Sequence, residues 1–211
     1  MLLGLLLCCC VGLEGCTAQL DGAVPGTGVD GGLSTPTPPS TPTVGDPSAA
    51  RSGTPAPSQR IRFVPTAVVL PGGAHAPVLP AGTKDGQLQV PSGARRVGWW
   101  DGGAQAGDPF GSIVLAGHVD TKEEGLGFFA RLRKVEPGER VTLTAADRRA
   151  TYRITTVRSV PKDALATRSG AFDQTGDHRL VLITCTGPYD AAAGGYADNL
   201  VVTATAEGFA E

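Results

Sequence analysis

Short apolar runs separated by glycine, proline and aspartate dominate the chain after residue 60. Valine, isoleucine, leucine and threonine fill these runs, and such residues favour β-strands bounded by turn formers. The predicted strands cover residues 62–69, 87–90, 112–119, 140–145, 151–157, 180–185 and 199–206. Residues 145–149 are typical of a hairpin connection, and sparse helical patterns occur at 125–132 and 161–169. Many short strands with few helices predict an all-β barrel or sandwich.

Residues 1–16 follow a different pattern, because they are apolar from Leu2 to Leu13. This run is short for a membrane-spanning helix, which needs about 20 residues, and its length suits the apolar core of an export signal. It ends in the sequence LEGC, which is similar to a lipoprotein processing box with Cys16 as the lipidated residue. An uncleaved N-terminal anchor is the alternative. Either interpretation predicts an exported protein.

The rest of the chain divides into a spacer and one domain. Residues 17–60 are rich in proline, glycine, serine and threonine and contain no aromatic residue, which predicts an extended, disordered spacer. Residues 61–211 carry all the aromatic residues and are long enough for one domain with its own core. The formal net charge of −2 argues against a nucleic-acid-binding protein, which usually has a basic balance.

Cys185 is the one cysteine of the predicted domain, since Cys8, Cys9, Cys10 and Cys16 all lie in the N-terminal segment. It therefore has no cysteine with which to form a disulfide inside that domain. It ends an apolar run, where a chain leaving a sheet presents a side chain to its surroundings. The sequence leaves two interpretations open, a buried small hydrophobic residue or a nucleophile.

His118 occupies an equivalent place, at the end of the apolar run 112–117 and just before Val119 and Asp120. A thiol nucleophile needs a base or a cationic neighbour, and histidine is the usual partner. Spacing alone does not bring Cys185 and His118 together, because such pairs meet only in the fold. The other two histidines give weaker signals. His75 is expected in a Gly/Pro-rich loop and His178 in a solvated turn.

Two other kinds of site are less well supported by these residues. His118 and Asp120 would share a face of a regular strand, and with Cys185 they give a possible metal site. Zinc usually takes clusters of His and Cys at tighter spacing, and the domain has no second cysteine. A Ser-His-Asp site is not favoured either, because no G-x-S-x-G nucleophile elbow is present.

Three segments carry a resemblance to a known family: VLAGHVD (114–120), LVLITCTG (180–187) and GYADNLVVTA (195–204). Together with residues 90–120 and the KVEPGERVTL segment (134–143), they resemble the sortases, specifically the actinobacterial class F or E type. The resemblance covers about residues 61–206, essentially the whole predicted domain. The order of anchor, spacer and domain also matches the family's layout.

The resemblance implies a closed β-barrel of about eight strands with one or two short helices, and a cysteine transpeptidase that needs no metal or cofactor. Cys185 would attack the Thr–Gly bond of an LPxTG-like or LAxTG-like sorting signal and form a thioester. An amine, typically of a peptidoglycan precursor, would then release the acyl group. His118 would exchange protons with the thiol and the leaving amine. Thr184 would shape the substrate groove or donate backbone N–H groups, and Asp120 would support the loop after His118.

The same resemblance implies a location on the outer face of the cytoplasmic membrane of a Gram-positive-type bacterium. The partners would be the sorting-signal peptide of a surface protein, an amine acceptor, and the membrane itself through the N-terminal anchor or lipid. Nucleic acid is not an expected partner.

One position departs from the family's pattern. A YRDN-like motif after the cysteine usually supplies an arginine that hydrogen-bonds substrate carbonyl and oxyanion, but here the motif begins Tyr196-Ala197. Arg153, Arg158, Arg168 and Arg179 are the arginines considered as replacements. Three explanations stay open: a substitute donor, a weakened enzyme, or a domain that binds peptide or cell wall without turnover. A lipoprotein with a purely structural barrel is a further alternative.

Overall fold

The computed structural model describes residues 60–192 and 194–211. The predicted anchor (1–16) and all of the predicted spacer except residue 60 lie outside this part of the chain. The strands are β1 Ala67–Val69, β2 His75–Ala81, β3 Thr83–Lys84, β4 Gln87–Leu88, β5 Val97–Trp100, β6 Ser112–Gly117, β7 Asp120–Thr121, β8 Gly125–Leu126, β9 Arg140–Ala145, β10 Arg148–Pro161, β11 Arg179–Asp190 and β12 Gly195–Ala206. The helical segments are the 3₁₀-helices Pro71–Gly73, Phe128–Lys134 and Lys162–Ala164 and the α-helix α1 Leu165–Arg168.

Eight strands close into a barrel in the order β1-β2-β5-β6-β11-β12-β10-β9, and β9 pairs back onto β1. Most neighbours are antiparallel, but β2 pairs with β5 and β6 pairs with β11 in parallel. The strands β3 and β4 form a small separate hairpin, and so do β7 and β8. The prediction of a closed eight-stranded all-β barrel with few short helices is confirmed.

Two apolar clusters lie on opposite faces of the neighbouring barrel strands β6 and β11. Ile113, Leu115, Leu180 and Leu182 belong to the larger cluster, which includes buried residues from every barrel strand and fills the interior. The residues of β6 and β11 that alternate with them belong to a smaller outer cluster. Its members are Val114, Ala116, Val160, Ala164, Ala171, Val181, Ile183 and Val201. Successive strand residues point to opposite faces, so β6 and β11 are covered on both sides.

This double burial explains why the two strands are apolar without interruption. All six residues of β6 are buried, as are Leu180 through Thr184 of β11. Parallel strands covered on both faces characteristically have such continuous apolar sequences. The outer cover includes Ala164 and Ala171, which belong to the connection between β10 and β11. This connection therefore packs on the outside of the barrel.

The helical predictions are confirmed in outline. The pattern at 125–132 corresponds to the 3₁₀-helix Phe128–Lys134, and the pattern at 161–169 to Lys162–Ala164 followed by α1. The turn between β9 and β10 consists of Ala146 and Asp147, as the hairpin pattern predicts. None of the helices in residues 60–192 and 194–211 has the length and hydropathy that a membrane crossing requires.

Two barrel strands escaped the sequence analysis, and two histidines lie in other surroundings than expected. Both β2, which contains two prolines, and β5, which has four residues, were missing from the prediction. His75 is the first residue of β2 rather than a loop residue. His178 is half-buried, and its Nε2 lies 2.9 Å from the hydroxyl of the fully buried Tyr152. The prediction of a solvated turn at His178 was therefore wrong.

A core substitution tests the interior cluster. We expect Leu182→Ala to lower the free energy of unfolding by about 2–5 kcal/mol, because it removes buried methyl groups and leaves a cavity. Leu182 is fully buried, whereas Leu126 is 75% exposed, so Leu126→Ala provides a matched control. Chemical denaturation followed by tryptophan fluorescence measures both variants. Equal losses of stability would contradict this description of the core.

Candidate active site

Cys185 lies on β11 where the strand emerges from the core. Residues 180 and 182 face the interior and residues 181 and 183 the outer cluster, so the alternation places Cys185 on the outer face. The thiol is half-buried, and Cys185 pairs with Asn199 of β12, whose side chain is buried. The strand is irregular just after it, between Thr186 and Tyr189. The cysteine thus occupies a rigid backbone position and remains accessible.

His118 follows the last residue of β6 and comes beside Cys185 through the strand register. The parallel pairing joins Arg179 to Ser112 and continues without a shift to Ile183 and Ala116. The next step of the same offset, 67 residues, joins Thr184 to Gly117. Continued by one residue beyond the end of β6, the same offset aligns Cys185 with His118, at the spacing of about 4.8 Å between neighbouring strands. Since Val114 and Ala116 belong to the outer cluster, the alternation along β6 points His118 to the same face as the thiol.

Two contacts fix these strand ends. Thr184 is buried, and its hydroxyl donates a hydrogen bond of 2.8 Å to the Gly117 carbonyl, which joins β11 to β6 one residue before the candidate pair. Gly127 packs on the His118 backbone so closely that a Cβ there would lie 2.1 Å from the His118 carbonyl oxygen. Only glycine fits at this position. Thr184 therefore acts on the site through the backbone, and its predicted contribution to a substrate groove stays a prediction.

Asp120 links the histidine segment to the strand after the cysteine. It begins β7, two residues beyond His118, and its carboxylate accepts a short hydrogen bond from the Tyr196 hydroxyl on β12. The Arg133 guanidinium lies 5.8 Å from the centre of the Tyr196 ring. The bond to Asp120 raises the pKa of Tyr196, so the tyrosine stays protonated as the donor. The supporting role predicted for Asp120 is consistent with this contact.

The metal alternative finds no support in the arrangement of side chains. Within residues 60–192 and 194–211, no three residues of the His, Cys, Asp and Glu types come together in a way that could hold a metal ion. The carboxylate of Asp120 is directed to Tyr196 instead. The thiol of Cys185 and the imidazole of His118 lie at the ends of two paired strands, and a thiol with an imidazole is the pair that nucleophilic acyl transfer uses.

Comparison with known families agrees with this barrel. Residues 70–207 match the sequence model of the sortase domain, which is most of the described chain. The chain belongs to the sortase family. Comparison with curated protein sequences returns no match.

Solved sortase structures share the fold of this sortase. Sortase C1 from Streptococcus agalactiae matches with a TM-score of 0.52 and 22% identity, over 68% of this chain and 67% of that chain. Sortase A from Listeria monocytogenes gives 0.51 and 19%, over 71% and 90%. A lid mutant of sortase A from Corynebacterium diphtheriae gives 0.52 and 25%, over 72% and 74%.

Ala197, where the resemblance leads one to expect an arginine, is exposed, and the four arginines named as replacements contact other residues. Arg153 contacts the Gly138 carbonyl and Glu207, Arg158 contacts the Ser169 carbonyl, and Arg168 contacts Asp163. Arg179 contacts Asp173 and the Gly170 and Asp177 carbonyls. None of these contacts is to Cys185 or His118. The structure therefore offers none of the four as the substitute donor.

The surroundings of the Cys185 thiol favour its protonated form. Burial raises the pKa of Cys185, the nearby positive charge of Lys162 lowers it, and the Asp120 carboxylate raises it. Burial is the largest of these effects, so the pKa lies above the ordinary value of a cysteine. A base has to remove the thiol proton when substrate is attacked.

Three further residues of the site were missed by sequence reasoning. Tyr196 lies in the GYADN segment that carries the resemblance, and that motif is the signal that could have identified it. Asn199 pairs with the cysteine across the ladder, and Lys162 is the first residue of the outer 3₁₀-helix. No local pattern marks Lys162, because its position depends on long-range strand pairing.

The raised thiol pKa predicts slow alkylation near neutral pH. The reactive thiolate forms only as pH rises through the folded-state pKa, so the iodoacetamide rate at Cys185 should reach half its maximum above pH ~8.5, the ordinary thiol value. Peptide-resolved mass spectrometry of the full chain separates Cys185 from the N-terminal cysteines. The same peptide in denatured protein serves as the control. A native midpoint at or below the denatured one would contradict the electrostatic description.

The hydrogen bond between β11 and β6 predicts a stability difference between two threonines. Thr184→Val removes the donor to the Gly117 carbonyl and should lower the free energy of unfolding by about 1 kcal/mol. Thr186→Val, two residues along the same strand and half-buried, should change it by less than about 0.5 kcal/mol. Chemical denaturation measures both. Indistinguishable variants would show that the Thr184 hydroxyl does not join the strands.

Proposed function

We propose that this sortase is an active cell-surface cysteine transpeptidase. Its substrate is an LPxTG-like or LAxTG-like sorting signal, which it cleaves between threonine and glycine. The observation that supports this most directly is the β6–β11 register, because its continuation by one residue beyond β6 aligns Cys185 with His118. Both residues are half-buried at the edge of the outer cluster, where an extended peptide can approach.

The reaction follows from the chemistry of the pair. His118 removes the thiol proton, and the Cys185 thiolate attacks the threonine carbonyl carbon to form a tetrahedral oxyanion. His118 then returns the proton to the glycine nitrogen as the C–N bond breaks, which leaves a thioester on Cys185. An incoming amine attacks the thioester carbonyl and loses its proton to the imidazole. The thiolate departs and is reprotonated, so the enzyme returns to its starting state.

The place of action rests on the N-terminal sequence and on the family. We place the domain outside the cytoplasmic membrane of a Gram-positive-type bacterium, attached through residues 1–16 or a lipid on Cys16. The spacer gives the domain distance from the membrane. The amine acceptor belongs to a cell-wall precursor, and the motifs around His118 and Cys185 favour class F or E.

A second candidate function is binding of a peptide or cell-wall stem without turnover. The observation that favours it is Ala197, because a missing oxyanion donor typically slows such enzymes by about 10²–10³-fold. In that case the barrel would retain the groove while losing the chemistry. The two candidates differ in one measurable property, the formation of a thioester.

Incubation with LPxTG and LAxTG peptides distinguishes them. An active enzyme should show a thioester adduct on Cys185 by mass spectrometry and a product released by hydroxylamine. Cys185→Ala should abolish both, and His118→Ala should reduce the rate by about 10²–10⁴-fold through loss of general acid–base catalysis. Binding of peptide without any adduct, unchanged in Cys185→Ala, would support the binding domain and contradict the enzyme.

A further inference from the structure

Lys162 lies across the sheet from the position where the sortase pattern has its arginine. The antiparallel register of β10 and β12 pairs Val160 with Asn199 and Pro161 with Asp198. One further step along the same register places Lys162 opposite Ala197. The small side chain of Ala197 thus occupies the arginine position, and its cross-strand neighbour Lys162 carries a positive charge.

The Lys162 ammonium lies on the same face of the sheet as the thiol. Residues 195, 197 and 199 alternate onto one face of β12, and Cys185 pairs with Asn199 on that face. The Nζ atom of Lys162 is 4.0 Å from the point that a Cβ on Gly195 would occupy. The side chain therefore reaches the outward face of β12 near its first residue, Gly195, two positions before Ala197. Since β12 lies between β10 and β11, these two strands are two strand spacings apart, about 10 Å, and the four-carbon stem of Lys162 spans part of that distance.

The backbone of Lys162 is held in place by the outer cluster. Lys162 begins the 3₁₀-helix Lys162–Ala164, and its carbonyl accepts a hydrogen bond from the N–H of Leu165. Ala164 is 5% exposed and packs with Val160 in the outer cluster. The exposed lysine side chain thus starts from a fixed point at the rim of the site.

We propose that Lys162 supplies the positive charge and the hydrogen-bond donor for acyl transfer at Cys185, the part that an arginine at position 197 would otherwise have. This inference rests on the proposed transpeptidase function. An ammonium group has three donors and a compact charge, which suits both a thiolate and the oxyanion that forms on the substrate carbonyl. The charge of Lys162 already acts on the resting thiol, whose pKa it lowers against the opposing effect of burial.

The carboxylates of Asp120 and Asp198 are held by partners of their own. Asp120 accepts the hydrogen bond from Tyr196, near which Arg133 lies, and Asp198 accepts one of 2.9 Å from Ser159. His118 is the base next to the thiol. A change at Lys162 therefore alters the positive charge at the site without removing any of these contacts.

Alkylation of Cys185 tests the charge independently of turnover. In the full chain, Lys162→Ala should move the pH midpoint of iodoacetamide labelling upward, and Lys162→Glu should move it further. Lys162→Arg should keep the wild-type midpoint, because it keeps the charge. Lys84→Ala, an exposed lysine on the separate β3–β4 hairpin, is the matched control and should change nothing. An unchanged midpoint in both Lys162→Ala and Lys162→Glu would overturn the proposal.

Thioester formation with the sorting-signal peptide tests the donor. Lys162→Ala should slow acylation by about 10²-fold, the usual cost of one oxyanion donor. Adding Ala197→Arg to that variant should restore much of the loss, because it returns a cation to the neighbouring strand. Acylation by Lys162→Ala at the wild-type rate would overturn the proposal and leave the transpeptidase function intact. If wild type forms no thioester, the transpeptidase function fails, and the alkylation midpoints still decide whether the Lys162 charge acts on the thiol.

Discussion

The parallel pairing of β6 with β11 is the constraint on which the site depends. Both strands are buried on both faces, so a shift of one residue in their register would reverse every side chain between the interior and the outer cluster. The pairing is therefore strongly specified by the core. Because the offset is constant from Arg179 and Ser112 onward, the packing of Leu182 and Ile183 also decides which residues meet at the ends of the strands. The position of Cys185 beside His118 is a consequence of core packing.

Part of this fold is readable in the sequence, because continuous apolar runs mark β6 and β11 and turn residues mark the hairpin after β9. The strand β2 is hidden, since Pro77 and Pro80 lack the N–H that a ladder uses and normally exclude a strand. The strand β5 has only four residues, too few for an alternating apolar pattern to be recognised in the sequence. His178 was misplaced for a different reason. Its partner Tyr152 is 26 residues away, and only the closed barrel brings the two together.

The candidate site was predictable where chemistry and motif coincide, and not where the charge comes from another strand. Cys185 and His118 stand out because each follows an apolar run, although their proximity needs the register. The partner of Asp120 follows only from the way β7 leaves the barrel and meets Tyr196. Lys162 carries no local signal, since a lysine after a proline is ordinary on a surface. Its place opposite Ala197 is a property of the β10–β12 ladder.

Placing the cation on the β10–β11 connection changes what the chemistry depends on. An arginine at position 197 would be positioned by β12 alone, a strand held by hydrogen bonds on both sides. Lys162 is positioned by a short 3₁₀-helix whose Ala164 packs into the outer cluster with Val160. The same cluster covers the outer faces of β6 and β11, up to the residues before His118 and Cys185. One cluster on the outside of the barrel thus contains the residue two positions before each of Cys185, His118 and Lys162, and loosening that cluster would disturb all three together.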